Sequence, residues 1–239
     1  MIPPGQTELF DALDATWAPM ALHNHAGWII REGAGGGQRV SAATHLPSAQ
    51  DAKVSDAVNK MTSLGQTPLF MIRSFDVGLD AELHALGYGV VDPVAILIAP
   101  TETLHDRRPL QTHHINRLEA PYTKAINIWA AGGVDQNRVN IMDRVKGSKT
   151  ILSVDGMGVA FAAAYNDIAM VHAVEVASKH RRKGVANALM YAACQWAHDH
   201  NCNWVAVLTV RDNMPAKILY ENLKMTEAAA YHYRIRPSD

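Results

Sequence analysis

The stretch Val174-Glu175-Val176-Ala177-Ser178-Lys179-His180-Arg181-Arg182-Lys183-Gly184-Val185-Ala186 constrains this chain more than any other. It reads as a strand ending at Val176, a short basic loop, and a helix that opens at Gly184. The helix runs on to His200, because Ala186, Leu189, Met190, Ala193, Trp196, Ala197 and His200 recur at three- and four-residue steps. A helix start presents free backbone N–H groups and the positive end of its dipole, so it attracts phosphate. Gly184 has no side chain to hold the backbone away from a ligand. Arg181, Arg182 and Lys183 add positive charge. This local chemistry suits a pyrophosphate cradle. A solvated basic link between a strand and a helix would carry the same charges, so these residues alone leave both readings open.

The surrounding pattern is that of an α/β (α+β) protein. Thr150 to Val154 and Val159 to Tyr165 are strand-like and joined through Asp155-Gly156, a strong hairpin signal. Asn166-Asp167 makes a second turn into a strand from Ala169 to Val176, so an antiparallel meander precedes the basic loop. After the long helix come a buried-type strand from Trp204 to Val210, a helix from Pro215 to Leu223 and a strand from Glu227 to Ile235.

The first hundred residues form a smaller pattern of their own. They read as a helix at Glu8 to Thr16, strands at Gly27 to Arg31 and Gln38 to Ala43, and a helix at Ala52 to Leu64. A strand at Leu69 to Ile72, a helix at Leu79 to Leu86 and a strand at Val90 to Ile98 follow, with Pro93 marking an edge or a bulge. Pro100 to Leu110 is polar and reads as a linker, and His114 to Ala131 as a helix closed by Gly132-Gly133. We therefore divide the chain at residues 1–105 and 106–239. A weak internal repeat links the halves, since Met71, Leu79, Leu83, Leu86 and Tyr88 parallel Val210, Ala216, Leu219, Leu223 and Met225.

Charge and composition exclude several classes. The 22 basic and 23 acidic residues leave a net charge of −1, which does not fit a nucleic-acid or membrane-surface protein. Two cysteines, Cys194 and Cys202, exclude a disulfide scaffold and suit a reducing cytoplasm. No run approaches the ~18 apolar residues of a membrane span. The 12 histidines form no His-Glu-x-x-His pattern, and the pairs His23/His25 and His198/His200 are isolated, so no metal site is expected. Gly33 to Gly37 is a loose turn, because Gln38 stands where a dinucleotide fingerprint needs its third glycine.

The segment Arg181-Arg182-Lys183-Gly184-Val185-Ala186 resembles the acetyl-CoA signature of the GNAT N-acetyltransferase superfamily, Gln/Arg-x-x-Gly-x-Gly/Ala. Val174-x-Val176 resembles that family's fourth strand. Asn213-Met214-Pro215-Ala216-Lys217-Ile218-Leu219-Tyr220-Glu221-Asn222-Leu223 resembles its second signature, with Lys224-Met225 in place of the usual Gly-Phe. The likeness covers about Thr150 to Arg236 and is looser back to His114. It implies the GNAT fold: a mixed, mostly antiparallel sheet flanked by helices and splayed between its fourth and fifth strands. The pantothenate arm of acetyl-CoA would lie in that gap against the backbone of Val174 and Val176. Arg181 to Ala186 would hold the pyrophosphate, and Asn213 and Ala216 would meet the arm. The order of the N-terminal elements resembles a degenerate copy of the same fold. Ser48 to Leu64, where a phosphate loop would open a helix, has no glycine and no basic cluster, so this half is expected to bind no coenzyme A. It would buttress the active half, and Trp17, Trp28 and Arg31 are candidates for an acceptor wall.

The resemblance implies direct transfer of an acetyl group to an amine, which must lose a proton to attack. Tyr220 matches the family's tyrosine near the cofactor sulfur and is the candidate acid for the leaving thiolate; a core position on its helix stripe is the alternative. His172 is the candidate base, since regular alternation puts it on one strand face with Val174 and Val176. His172-Ala173-Val174-Glu175-Val176 also resembles the corresponding strand of arylalkylamine N-acetyltransferases. Glu175 is the second candidate, on the opposite face unless a bulge intervenes. The expected function is a cytoplasmic acetyltransferase acting on a small-molecule primary amine. A non-enzymatic acyl-CoA-binding regulatory module and a protein N-terminal or lysine acetyltransferase are the alternatives. The oligomeric state stays open, a homodimer included.

Overall fold

The computed structural model describes residues 1–46, 48–49, 51–105 and 113–237. In chain order its elements begin with α1 (Gln6–Thr16), β1 (Ala21–His25), β2 (Trp28–Glu32), β3 (Ala43–His45), α2 (Val54–Ser63) and β4 (Leu69–Arg73). Next come α3 (Val77–Ala85), β5 (Gly89–Pro100), α4 (Thr101–His105), β6 (Asn116–Leu118), α5 (Thr123–Ala131) and α6 (Gln136–Arg144). The chain then forms β7 (Lys149–Val154), β8 (Gly158–Tyr165), β9 (Ile168–Val176), α7 (Val185–Asp199), β10 (Trp204–Val210), α8 (Met214–Asn222) and β11 (Thr226–Ile235). Among the described residues, no helix is long and apolar enough to cross a membrane.

Two compact units result, and they are not the sequential halves expected from a boundary at 105/106. The larger unit comprises Met1–Ala18 and Ile96–Ala228, the smaller Pro19–Ala95 and Ala229–Asp239. The N-terminal helix α1 joins the larger unit because Leu9, Ala12 and Leu13 bury fully and the helix packs on β8 and β9. Amphipathic spacing announces such a face but not the sheet that receives it.

In the larger unit β6, β7, β8 and β9 pair antiparallel in that order, and β10 joins β9 in parallel. The meander follows the expected turns. On one face α7 lays Val185, Leu189, Ala193 and Trp196 against Leu152, Ala160, Ala162, Val171, Val205 and Val207. Burying a large apolar side chain contributes about 1.5–3 kcal/mol, so this layer is a main source of the unit's stability. Cys194 lies in it, its thiol donating to the Thr101 carbonyl, and burial pushes the Cys202 thiol up to about 11. Neither sulfur is a reactive nucleophile.

The expected helix over His114 to Ala131 is a short strand, β6, followed by α5. Pro121 accounts for the break: it lacks an N–H and disfavours helical geometry at the residue before it. The unforeseen α6 starts at Asp135, whose side chain accepts from the Arg138 N–H at 3.0 Å. Of the expected linker, Thr101–His105 is helical, and residues 106–110 lie outside the described residues.

In the smaller unit β1, β2 and β3 pair antiparallel, β4 joins β3 in parallel and β11 pairs antiparallel with β4. The core holds Trp28, Ile30, Met61, Phe70, Ile72, Leu83 and Tyr88. Gln38–Val40, expected within a strand, forms a single 3-10 turn ahead of β3. The expected irregularity at Pro93 is present one residue earlier, with Asp92 at φ +45°. Asp80 of α3 ties down β11, accepting from Arg234 Nε and meeting His232 Nε2, both at 2.8 Å. The Arg234 bond first, and then His232, hold the Asp80 carboxyl below its ordinary value. A depressed carboxylate stabilises the fold above its unfolded value near 3.8, and that contribution is lost as pH falls through the lower folded value. Asp80→Asn should therefore cost about 1–2 kcal/mol at neutral pH, leaving buried Arg234 short of an acceptor. Thermal melts across pH check this: the gap between wild type and variant should close in strong acid.

Candidate active site

The site starts from a parting of two strands. Pairing of β9 with β10 runs from Ile168↔Trp204 to Val171↔Val207 and stops there, although both strands continue. The edge of β9 from Ala173 to Val176 thus leaves its parallel neighbour. Into this opening runs a cavity of about 770 Å³. Val174, Glu175 and Val176 line it from β9, Arg181, Arg182, Gly184, Val185 and Ala186 from the loop and α7, and Asn213, Ala216 and Tyr220 from α8. Ala131 and Gly132 close it from the end of α5.

A bulge in β9 decides which side chains face where. Phe161 of β8 opposes His172, whereas Val159 opposes Glu175, so β9 spends three residues where β8 spends two. Ala173 sits at φ +50°, a conformation that costs an alanine about 1 kcal/mol or more. Its carbonyl accepts the indole N–H of fully buried Trp129 at 2.8 Å, which secures the kink. Val174 and Val176 consequently pack toward the α7 core, and His172 and Glu175 share the other face.

This overturns the expectation that His172 accompanies Val174 and Val176. His172 is only 4% exposed and lies in the packing beneath α1. Its Nε2 is 2.9 Å from Thr16 Oγ1, and its ring lies 5.0 Å from that of Trp17. Because the Thr16 hydroxyl donates to the Ala12 carbonyl, His172 Nε2 is the donor in that pair. It does not line the cavity. Glu175 does, half-buried, and burial raises its pKa above the ordinary carboxylate value, with nearby Arg181 pulling the other way. Tyr220 is 5% exposed, and burial first, then the charge of Glu175, pushes its hydroxyl up to about 12. The two groups both line the cavity and lie close enough for the charge of Glu175 to act on Tyr220.

The basic loop also lines the cavity. A 3-10 turn over Ser178–His180 leads to Arg182 at φ +61° and Gly184 at φ +76°, both left-handed. Gly184 caps α7, and the first α7 backbone bond runs from Ala188 N–H to the Gly184 carbonyl. The amides ahead of Ala188 are therefore not used within the helix. Arg181 Nε donates to the Val176 carbonyl at 3.3 Å, and Lys183 is exposed outside the lining. Opposite, Asn213 caps α8 through its side-chain oxygen, accepting the Ala216 N–H at 3.2 Å and leaving its amide group for a ligand. A phosphate-bearing ligand suits such a cavity, whose lining combines cations and helix amides with a hydroxyl and a carboxyl group.

Three further residues escaped the sequence reading. Gly158 of β8 lets α7 sit down on the sheet, since a Cβ there would lie 2.6 Å from Val185 Cγ1. Trp129 secures the bulge, and Gly132 lies against Glu175. The Gly132-Gly133 pair was legible only as a helix stop. Of the proposed wall residues, Trp17 packs on His172, Trp28 is fully buried in its own unit, and Arg31 donates to the Ala42 carbonyl and Thr44 Oγ1.

Residues 144–225 match the family model described as the acetyltransferase (GNAT) family. These residues form a GNAT acetyltransferase domain. The enzyme class is that of acetyl-CoA-dependent acyl transfer. A comparison with curated protein sequences finds no match. Among solved structures, a GCN5-related N-acetyltransferase from Kribbella flavida has 14% identity and a TM-score of 0.69, covering 99% of this chain and 98% of that one. A tandem GNAT protein from the clavulanic acid biosynthesis pathway has 15% identity and a TM-score of 0.63, covering 100% and 90%. A functionally unknown conserved protein from Staphylococcus epidermidis has 10% identity and a TM-score of 0.65, covering 94% and 97%. The GNAT fold, including the tandem arrangement expected for the whole chain, agrees with these likenesses.

Proposed function

We propose that the chain is an N-acetyltransferase that moves an acetyl group from acetyl-CoA to the primary amine of a small molecule. The observation that carries this reading is the β9 bulge, which turns Glu175 into the cavity near Tyr220. The first-turn amides of α7, with Arg181 and Arg182, are suited to the pyrophosphate, and the free edge of β9 at Val174 and Val176 to the pantothenate arm. Asn213 and Ala216 line the opposite wall.

Glu175 takes a proton from the amine, directly or through one water. The amine nitrogen then forms its bond to the thioester carbonyl carbon, and an N–H of β9 near Val176 stabilises the charge gathering on the carbonyl oxygen. As the carbon–sulfur bond breaks, the Tyr220 hydroxyl gives its proton to the leaving thiolate, the new amide nitrogen loses its remaining extra proton through water to the Tyr220 phenolate, and Glu175 returns its own proton to solvent. With its pKa at about 12, Tyr220 stays protonated at neutral pH and serves as a donor.

The test is release of free coenzyme A thiol in the presence of acetyl-CoA and a panel of amines and peptides. Turnover with small amines supports the reading, and turnover with peptides alone would replace it by protein acetylation. Binding of acetyl-CoA without turnover on any acceptor would favour the non-enzymatic module. Tyr220→Phe keeps the buried ring and removes only the hydroxyl, so kcat should fall about 100-fold with acetyl-CoA affinity unchanged.

A further inference from the structure

Gly132 is a glycine without a backbone reason. It caps α5 at φ −90°, ψ 3°, where any residue fits, while the left-handed position at the end of this helix belongs to Gly133 at φ +86°. What excludes a side chain at position 132 is Glu175. A Cβ on Gly132 would overlap Glu175 Cδ and lie 2.5 Å from Oε2 and 2.8 Å from Cγ. All three of its nearest contacts belong to that one side chain.

We propose that Gly132 is a positioning residue whose missing side chain forms the slot that seats the Glu175 carboxyl group in the cavity. The inference rests on Glu175 acting as the base. The slot is built of the last turn of α5, whose carbonyls make it the negative end of a helix dipole. Seating a carboxylate there favours its protonated form, in keeping with burial. Among the described residues, the titratable groups that share the cavity with Glu175 are His180, Arg181 and Arg182 from the basic loop and Tyr220 from α8, of which Arg181 and Tyr220 interact with its charge, and α5 contributes Ala131 and Gly132 to the lining. The slot thus sets both where the carboxyl group sits and how readily it accepts a proton.

The clash falls on the far end of a flexible side chain, so Gly132→Ala can be relieved by Glu175 swinging out rather than by the fold giving way. Alanine also restricts the unfolded chain. The variant should therefore melt at or above the wild-type temperature and bind acetyl-CoA within twofold of wild type. Its kcat should fall at least tenfold, and the acid limb of its pH–rate profile should move to lower pH as Glu175 becomes solvated. The double variant Gly132→Ala/Glu175→Gln should be no slower than Glu175→Gln alone, since Gly132 acts through that carboxyl group.

An NMR titration of the Glu175 carboxyl carbon gives a readout free of turnover: its pKa should drop toward the ordinary value in Gly132→Ala. An unmoved titration with wild-type kcat would overturn the proposal. A shifted titration in a protein whose Glu175→Gln variant keeps full activity would uphold the slot and remove the base assignment instead.

Discussion

Gly184→Glu should abolish acetyl-CoA binding, with a loss of at least 100-fold by calorimetry. Two effects combine. At φ +76° an L side chain is strained by about 1–2 kcal/mol, so the loop resists keeping its shape. The new carboxylate would also stand at the α7 N-terminus, where the cradle presents its amides to phosphate. There it competes for those donors and repels the pyrophosphate. The same charge suits the helix dipole, which offsets part of the strain, so the variant should stay folded and melt within a few degrees of wild type. Gly184→Ala separates the effects, since it brings strain without charge and should lose about tenfold. Wild-type affinity in Gly184→Glu would show that this loop does not hold the cofactor.

Glu175→Gln should lower kcat by about 100- to 10,000-fold while leaving acetyl-CoA affinity within a few-fold. Glutamine keeps the shape of the side chain and cannot take a proton from the amine. The pH dependence carries a second signature. Burial raises the Glu175 pKa, so the basic form is lost at a higher pH than for an ordinary carboxylate. Wild-type kcat/KM should therefore fall as pH drops through a value above 4.5, and the variant should lose that limb. Titration of the amine itself remains in both proteins. A preserved limb with high activity would remove the base role from Glu175 and leave proton removal to water.

These two residues show how differently the site is written in the chain. Gly184 was legible because its demand is local. A basic loop, a glycine and an amphipathic helix follow one another in sequence, and their backbone groups suit an anion, although a solvated link would carry the same charges. The same holds for Asn213, Pro215 and Ala216, where a cap and a fixed proline φ start a helix within a few residues. Tyr220 was singled out by the resemblance of its segment to the family's second signature, while its place on the helix stripe allowed a core position equally.

The choice between the two base candidates, His172 and Glu175, was not legible. Regular alternation along β9 places His172 on the face of Val174 and Val176 and sends Glu175 to the other. One extra residue at Ala173 reverses this relation, uniting His172 with Glu175. Nothing in the five residues from His172 to Val176 announces the bulge. It depends on the β8 register and on an indole 44 residues away that captures the Ala173 carbonyl. The burial of His172 likewise depends on Thr16 and Trp17, at the opposite end of the chain. The sequence by itself determined the basic loop with its glycine, the helix that follows it and the meander before it, because short-range backbone chemistry and periodicity suffice for those. Tertiary structure alone decided which carboxyl group enters the cavity, the glycine slot that receives it and the membership of α1 in the larger unit. Those follow from pairing register and packing between distant segments, which no local pattern encodes.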